Sequence, residues 1–241
     1  MTQVVIICIY LAMLIGLGIV SRRFFRGGAA DFFVASRSIG PFILFMSVFG
    51  TTMTAFAMVG STGEAYRVGV GTFGKIASSS ALVHSAVFFL IGLRLWSLGK
   101  RNGYMTQIEL FRDRFESNGL GYLLFPILVG LIIPYLLVGL LGAGSFIGGV
   151  TRGAFPDVFA ATGGAVPPWL TSLVICGVVL SYIFMGGVRS AAWANTFQTI
   201  VFMIMGVLAF VLISTKLGGF SAASQMANSA KAVREGNISE L

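Results

Sequence analysis

The stretch that decides the fold is residues 47–63, which read SVFGTTMTAFAMVGSTG. No charged residue occurs from position 41 to position 63, so this segment is apolar enough to cross a bilayer. Its middle, however, consists of Gly, Thr and Ala, where a lipid-facing helix would carry Leu and Ile. Four of these residues weaken a helix, and three of the four offer hydroxyls that can bind an ion: Gly50, Thr51, Thr52 and Thr54.

Two structures are compatible with this stretch. In the first, the helix breaks at residues 50–55 and exposes backbone oxygens, which is tolerated at membrane depth where the backbone lines a buried or wet cavity. In the second, the helix is continuous and its small residues allow a neighbouring helix to approach closely. The first structure is our central hypothesis because transporters place their ion sites at such breaks.

The composition is that of an integral membrane protein built from α-helices. Of 241 residues, 56% are hydrophobic and 10% are charged, against roughly a quarter charged in soluble proteins. Mean hydropathy is +0.93. Residues 1–215 are predicted to form one transmembrane domain, and residues 216–241 a polar tail at which we expect a longer protein to be truncated. Six runs can each hold the ~20 residues of a spanning helix, at about residues 4–20, 41–60, 72–98, 120–150, 169–185 and 191–215.

The charged residues predict which side of the membrane each loop occupies. The chain has 16 Lys and Arg against 8 Asp and Glu, a net charge of +8. Because basic loops stay in the cytoplasm, we predict an inner (plasma) membrane protein with its N-terminus outside, in which the basic excess contacts anionic lipid headgroups and not nucleic acid. The predicted cytoplasmic loops hold ten of the sixteen: Arg22, Arg23, Arg26, Arg37, Arg94, Lys100, Arg101, Arg112, Arg114 and Arg189.

The sequence contains no set of residues that would carry out enzyme chemistry. It has one His, and it has no Cys/His cluster, no P-loop and no GxSxG motif. Hydrolysis, metal catalysis and nucleotide chemistry therefore have no candidate residues. We predict that the protein is not an enzyme.

Four motifs carry a resemblance to a known family. They are SRSIGPF at residues 36–42, SVFGTTMTAF at residues 47–56, EAYRVGVG at residues 64–71 and GGVRSAAWANTFQ at residues 186–198. Together they resemble the sodium:solute symporter family, which includes the proline, pantothenate and sugar symporters. The match covers essentially the whole chain in order and spacing.

The resemblance implies a fold and a partner. Members of the family have a LeuT-type inverted-repeat scaffold, with one extra helix before the core. The first helix here would be the extra one, and the other five would form the first five-helix repeat, with its first core helix broken. Alternating access needs both repeats around a shared site, so the missing C-terminal repeat of the same protein is the expected partner.

The resemblance also implies a sodium site. The family binds Na⁺ partly through backbone carbonyls of the broken helix, which correspond to Gly50 and Met53 here. Several members have an Asp at the positions of Thr52 and Asn195. Sodium is a hard cation that accepts carbonyl and hydroxyl ligands, so a neutral site remains workable. Asn195 and Gln198 correspond to the family's ion-exit region, and helix capping is the competing role for both.

Other polar residues are candidates for binding the transported solute. Thr51, Thr52 and Thr54 have hydroxyls that can face the solute or ion, or can instead bond the carbonyl one turn back. Lys75 attracts a carboxylate if it faces the cavity, which would indicate an organic-acid or amino-acid solute, or it snorkels to the outer surface. His84 relays protons or hydrogen-bonds to a neighbouring helix.

These observations predict sodium-coupled symport of a small organic solute by alternating access, with Na⁺ as the coupling ion. A different class of function is also compatible with the chain. Symporter-like modules are sometimes fused to signalling kinases, so the chain would then be a membrane sensory input domain. A kinase motif in a C-terminal extension would distinguish the two.

Overall fold

A computed structural model describes residues 2–54, 60–69, 71–76, 81–219, 221–222 and 225–226. Within these ranges the chain forms helices, short 3-10 turns and loops, with no strand. The helices are α1 (Thr2–Arg22), α2 (Ala29–Val34), α3 (Pro41–Thr52), α4 (Ser61–Val68), α5 (Gly71–Ile76), α6 (Leu82–Asn102), α7 (Gln107–Arg114), α8 (Asn118–Val150) and α9 (Pro168–Lys216).

The long apolar helices confirm an all-helical membrane protein. In the described part of the chain, α1, α6, α8 and α9 are each long and apolar enough to cross a bilayer. A fifth span results if α3 is joined to the helical segment Ala29–Arg37, which meets it at a bend of 107°. The predicted number of six membrane-spanning helices is reached only if α9 also forms two spans. The number six stays a prediction.

The helix α9 is too long for a single crossing. Its 49 residues extend over about 74 Å at 1.5 Å per residue, whereas the hydrocarbon core is about 30 Å thick. The backbone leaves the helical conformation at Gly186 (φ −151°) and Gly187 (φ +57°), between the helices predicted at 169–185 and 191–215. We call residues 168–185 α9a and residues 188–216 α9b.

The break in α9 depends on glycine. A positive φ is a conformation that residues with a side chain rarely adopt. A Cβ atom on Gly187 would also overlap the carbonyl oxygen of Phe32, so the loop containing α2 sits directly against the break. The turn therefore positions α2 as well as redirecting the chain.

The structure differs from the prediction in two of the apolar segments. The helix predicted at 41–60 begins at Pro41 but ends at Thr52, and residues 55–59 of that prediction lie outside the described residues. The helix predicted at 72–98 comprises α5 and α6, with 77–80 outside the described residues. α6 continues to Asn102 because the left-handed Gly103 ends it there, and it contains a π-helical turn at Phe88–Gly92.

The packing centres on α9, which contacts α1, α2, α3 and α8. Leu14 of α1 lies against Val178, Tyr182 and Ala194 of α9, and these four residues form the buried apolar cluster. The short helix α7 packs on α8. In contrast, α6 has no buried residue. The predicted ion-binding residues of α3 lie in this packed region, next to α9.

Candidate ion and substrate site

The C-terminal end of α3 unwinds at the residues predicted to bind an ion. The Met53 amide donates to the carbonyls of both Phe49 (3.3 Å) and Gly50 (3.2 Å), and the Thr54 amide donates to the Thr52 carbonyl (3.0 Å). Met53 itself has φ −83° and ψ 69°, which is not helical. The helix thus ends in tight turns between residues 49 and 54.

The two carbonyls predicted to bind sodium differ in how much hydrogen bonding they already make. The Gly50 oxygen accepts the Met53 amide and retains one lone pair, since a carbonyl oxygen has two. The Met53 oxygen accepts no hydrogen bond within the described part of the chain. Within the described part of the chain, both carbonyls therefore retain a lone pair that can bind an ion.

Two of the threonines hydrogen-bond within their own helix. The Thr51 hydroxyl donates to the Ser47 carbonyl (2.8 Å), and the Thr52 hydroxyl donates to the Phe49 carbonyl (2.7 Å). This is the competing role given above for threonine in a membrane helix. Their oxygens keep lone pairs, so donation to the backbone does not prevent them from accepting a hydrogen bond or an ion.

Asn195 faces the end of α3. Its side-chain nitrogen donates to the hydroxyls of Thr51 (3.1 Å) and Ser47 (3.4 Å). One turn further along α9b, the buried Thr199 hydroxyl lies 3.1 Å from the Met46 carbonyl and 2.7 Å from the Asn195 carbonyl. The contact between α3 and α9b is thus built from amide and hydroxyl groups.

Gly50 has a packing role in addition to its predicted ion-binding role. A Cβ atom at this position would overlap the Thr199 hydroxyl and lie 3.1 Å from the Asn195 carbonyl oxygen. Only glycine allows α3 and α9b to approach this closely without a shift. α3 therefore packs closely at Gly50 and ends two residues later, at Thr52, while residues 55–59 of the predicted segment lie outside the described residues.

The remaining predicted residues lie apart from this contact. Gln198 lies beside the Tyr10 hydroxyl of α1, so it faces a different helix from Asn195. Lys75 is in the second turn of α5, and His84 is in the first turn of α6. None of the contacts described for the α3–α9b region involves Lys75 or His84.

A cavity adjoins the end of α3. Its volume is about 520 Å³, within the roughly 300–1,000 Å³ typical of small-molecule sites. The walls are mostly apolar, and the hydroxyls of Thr54 and Tyr135 are its polar groups. The Tyr135 hydroxyl also lies 3.4 Å from the Thr51 carbonyl. The lining comes from the turn that follows α3, from α8 and from α9a, and includes Thr54, Pro134, Tyr135, Gly139, Ala143 and Ile175.

Sequence reasoning did not identify Tyr135 or Thr199. Each lies in an apolar segment and reaches α3 only through the tertiary fold, 84 and 153 residues away in sequence from its partner. The one local signal for Tyr135 is a phenol hydroxyl directly after Pro134, in the middle of a span where an unpaired polar group is costly.

A second missed feature is an ion pair at the break in α9. Asp31 is 1% exposed and accepts hydrogen bonds from the Arg26 amide, the Ser36 hydroxyl and the Arg189 guanidinium, each at 2.8 Å. Arg189 also donates to the Ala35 carbonyl (3.1 Å). These bonds, led by the Arg26 amide and followed by Arg189, lower the pKa of Asp31 from 3.8 to about 2.

The ion pair joins the α1–α3 connection to the start of α9b. It is the one salt bridge among the residues that the structure describes. Asn195 follows Arg189 by six residues on the same helix, so the ion pair also helps to fix where Asn195 meets α3. The sequence did contain a signal, because Asp31 is the single acidic residue among the first 63.

The sequence matches a known family and several curated proteins. The model of the family described as the sodium:solute symporter family matches residues 32–239. The chain is 27% identical to the sodium/pantothenate symporter of Escherichia coli, covering 90% of this chain and 42% of that protein. It is 24% identical to sodium/proline symporter 2 of Staphylococcus saprophyticus (92% and 42%). It is 26% identical to the monocarboxylate transport permease protein of Rhizobium johnstonii (85% and 39%).

The chain spans about two fifths of the length of these curated relatives. No solved structure gives a significant match. The comparisons therefore bear on the family of the chain, while the arrangement of its helices comes from the structure alone.

Proposed function

The chain belongs to the sodium:solute symporter family, and on that premise we propose that it contributes to a protein that carries a small organic solute and Na⁺ together across the cytoplasmic membrane. The family consists of transporters and not of enzymes. We propose alternating access as the mechanism, with α1 as the extra helix and the following helices as the first repeat of a LeuT-type scaffold. A C-terminal repeat would complete the transport site.

The observation that carries this proposal is the end of α3. An apolar segment stops being helical at Met53, and the Met53 carbonyl accepts no hydrogen bond among the described residues. A carbonyl in an apolar region needs a polar partner, and Na⁺ is a suitable one. We propose Met53 and Gly50 as backbone ligands, with the remaining ligands supplied by the second repeat.

The proposed solute site is the cavity beside this ion site. Thr54 lines it, and Thr51 and Thr52 lie on the preceding turn. The three relatives compared above are named for pantothenate, proline and monocarboxylates, which all carry a carboxylate. We propose a carboxylate-bearing solute whose apolar part occupies the cavity, with Lys75 attracting the carboxylate from the outer side.

Asn195 and Gln198 are proposed to line the route by which the ion leaves. For Asn195 the proposal is supported by its hydrogen bond to Thr51, which is one of the polar contacts that join α3 to α9b. For Gln198 the support is weaker, because its side chain lies against α1. We propose that this route opens to the cytoplasm and that the N-terminus is outside, since most basic residues then fall in cytoplasmic loops.

The test is uptake by the whole transporter reconstituted in vesicles, with proline, pantothenate and pyruvate as labelled probes. An inward Na⁺ gradient is expected to drive uptake of at least one probe, and K⁺ or choline gradients are not. Thr54→Val is expected to weaken this uptake, whereas the matched control Thr215→Val, far along α9b, is not. Uptake that is the same in Na⁺, K⁺ and choline would contradict sodium coupling.

Lys75→Gln separates the two roles given to Lys75. If Lys75 attracts the carboxylate, the variant raises the half-saturating concentration of an anionic probe by about tenfold, which corresponds to the loss of a charge-assisted contact. An unchanged half-saturating concentration assigns Lys75 to the outer surface. This outcome would leave the sodium dependence of the transporter unaffected.

A further inference from the structure

We propose that a cleft beside the C-terminal end of α6 binds the phosphate group of an anionic phospholipid. The cleft has a volume of about 310 Å³ and lies between α6, α7 and the 3-10 turn after α2. It is separate from the proposed transport site, and the proposal does not depend on symport. Its lining includes Arg37, Trp96, Lys100, Tyr104, Met105 and Leu110.

The cleft lies where an apolar span ends. α6 is a candidate membrane span, and its last turn contains Lys100 and Arg101. The next helix, α7, is short and amphipathic, with apolar residues such as Leu110 alternating with charged ones such as Arg112. Both features are typical of the headgroup level of a bilayer. The cleft therefore opens on the layer in which lipid phosphates lie.

Two cations border the cleft, and neither forms a salt bridge with a carboxylate among the residues that the structure describes. One nitrogen of Arg37, Nη2, donates to the carbonyls of Gly99 (2.7 Å) and Tyr104 (3.1 Å), which holds the guanidinium at the end of α6. The other guanidinium nitrogens of Arg37 have no acceptor within the ranges that the structure describes. Lys100 follows Gly99, and its Nζ lies 5.2 Å from the centre of the Trp96 ring. An anion between these two groups would be attracted by both.

The acidic residues nearby are already engaged. A Glu109 carboxylate oxygen accepts the Met105 amide (2.8 Å), which caps the start of α7. The Asp113 carboxylate accepts the Tyr104 hydroxyl, and this bond raises the pKa of Tyr104. Neither carboxylate forms a salt bridge with Arg37 or Lys100 in the described part of the protein. The cleft thus retains its positive charge.

The apolar part of the lining favours a lipid over a soluble anion. Trp96 is 64% exposed, and Leu95 and Met105 are also exposed at the same cleft. A soluble phosphate would leave these side chains in contact with water, whereas a phospholipid would cover them with its glycerol and acyl groups. Trp and Tyr are also enriched at the membrane interface. Charge and apolar surface together match an anionic phospholipid.

The competing explanation is that Arg37 only caps α6. Arginine near a helix C-terminus commonly bonds the last carbonyls, and Arg37 does so. Capping accounts for one of its nitrogens, but it does not account for Lys100 or for the exposed Trp96 at the same cleft. The test therefore varies Lys100, uses Trp96 as the fluorescent reporter, and leaves Arg37 unchanged.

The test measures whether anionic lipid concentrates next to Trp96. The protein carries Trp169→Phe and Trp193→Phe, and any tryptophan outside these 241 residues is also replaced by phenylalanine, so that Trp96 is the one tryptophan left. It is placed in vesicles that mix phosphatidylglycerol and phosphatidylcholine, with bromine on the acyl chains of one lipid at a time. Brominated phosphatidylglycerol is expected to quench Trp96 fluorescence as if its local mole fraction were enriched on the order of fivefold. Brominated phosphatidylcholine is expected to show no enrichment.

Lys100→Gln and Arg101→Gln form the matched pair of variants. Both remove one charge from the same turn, but Arg101 does not line the cleft. Enrichment is expected to disappear in Lys100→Gln and to persist in Arg101→Gln. If both variants lose the same amount of enrichment, the lipid is attracted by the general positive charge of the surface and not by the cleft, and the proposal is overturned.

Two further outcomes would also overturn it. If millimolar inorganic phosphate abolishes the enrichment at constant ionic strength, the site takes a soluble anion and not a lipid. If neither brominated lipid quenches Trp96, another part of the protein covers the cleft.

Discussion

α9 makes two very different contacts with its neighbours. Against α1 it uses apolar and small residues: a Cβ atom on Gly18 would lie 2.6 Å from the Cβ atom of Tyr182, and Leu14 packs beside it. Against α3 it uses polar groups, with Asn195 donating to Thr51 and Thr199 donating to a carbonyl. The α1 interface is mainly close apolar packing, with Gln198 beside Tyr10 as a polar contact, whereas several hydrogen bonds cross the α3 interface next to the close approach at Gly50.

The difference indicates which contact changes during transport. Inside a bilayer, two apolar helix surfaces that separate become covered by lipid, so no apolar surface is exposed to water. Separation nevertheless costs the many van der Waals contacts that close packing of small residues provides. Hydrogen bonds between hydroxyl and amide groups can instead be exchanged for bonds to water or an ion. We therefore expect α1 and α9 to move together, and α3 to separate from α9b.

The largest effect is expected at the ion pair between Asp31 and Arg189. Asp31→Asn leaves the Arg189 guanidinium largely buried (12% exposed) without a counter-charge, so the protein is expected to lose more stability than with any other change considered. The folded-state pKa of Asp31 is about 2, below its usual 3.8. Its contribution is therefore complete above about pH 5 and is lost as the pH falls from about 4 to 2.

Unfolding in detergent micelles, followed by circular dichroism between pH 7 and pH 2, measures this contribution. The unfolding midpoints of the wild type and Asp31→Asn are expected to converge as the pH falls. The control is Asp157→Asn, since Asp157 is exposed. A gap between wild type and Asp31→Asn that stays constant down to pH 2 would contradict the assigned role of the ion pair.

The next largest effect is expected for Gly18→Ala, which tests the apolar contact. The new methyl group would meet the Cα and Cβ atoms of Tyr182, which cannot move without shifting the backbone. We expect a loss of up to about 3 kcal/mol in unfolding free energy. Gly16→Ala is the control because nothing lies within 4 Å of its position. Tyr182→Ala keeps the Cβ atom that the new methyl group meets, so it is not expected to restore stability to Gly18→Ala. If the double variant Gly18→Ala, Tyr182→Ala does recover stability, the α1–α9 contact is looser than described.

A smaller effect is expected for Gly50→Ala, which tests the polar contact. The new methyl group overlaps a side-chain hydroxyl, that of Thr199, and not backbone. We expect a loss of about 1 kcal/mol, recovered in part when Thr199→Ala removes that hydroxyl. The same unfolding measurement applies. If Thr199→Ala does not relieve the defect, the α3–α9b contact is as rigid as the α1–α9 contact, and the comparison fails.

The smallest effect is expected for the hydrogen bond between Asn195 and Thr51. A double-mutant cycle with Asn195→Ala and Thr51→Ala is expected to give a coupling energy of about 0.6 kcal/mol, the average for such bonds in membranes. The pair Asn195 and Thr215 serves as the control, because Thr215 bonds only within α9b. Coupling of the same size in the control pair would remove the support for a specific α3–α9b bond.

Local features of this molecule were predictable because they depend on neighbouring residues. α3 begins at Pro41, because proline is tolerated in a first helical turn, and α9 breaks at Gly186 and Gly187, because glycine allows the required φ. The family was likewise predicted, from four short motifs, and the family match confirms it.

Features that join distant residues were not predictable in this way. Asp31 and Arg189 are 158 residues apart, and neither has a neighbour in sequence that indicates the other. The same holds for Tyr135 and the cavity it lines. The sequence also could not show that Asn195 and Gln198 face different helices. Their side chains are rotated by about 300° relative to each other around the helix axis, and only the packing decides which of them meets α3.

The π-helical turn in α6 has a consequence for whatever packs there. Such a turn holds about one residue more than an α-helical turn, so the stripes of side chains before Phe88 and after Gly92 are rotated out of line. A straight partner helix can follow one stripe but not both. The side chains before and after this turn therefore form two differently oriented surfaces along α6.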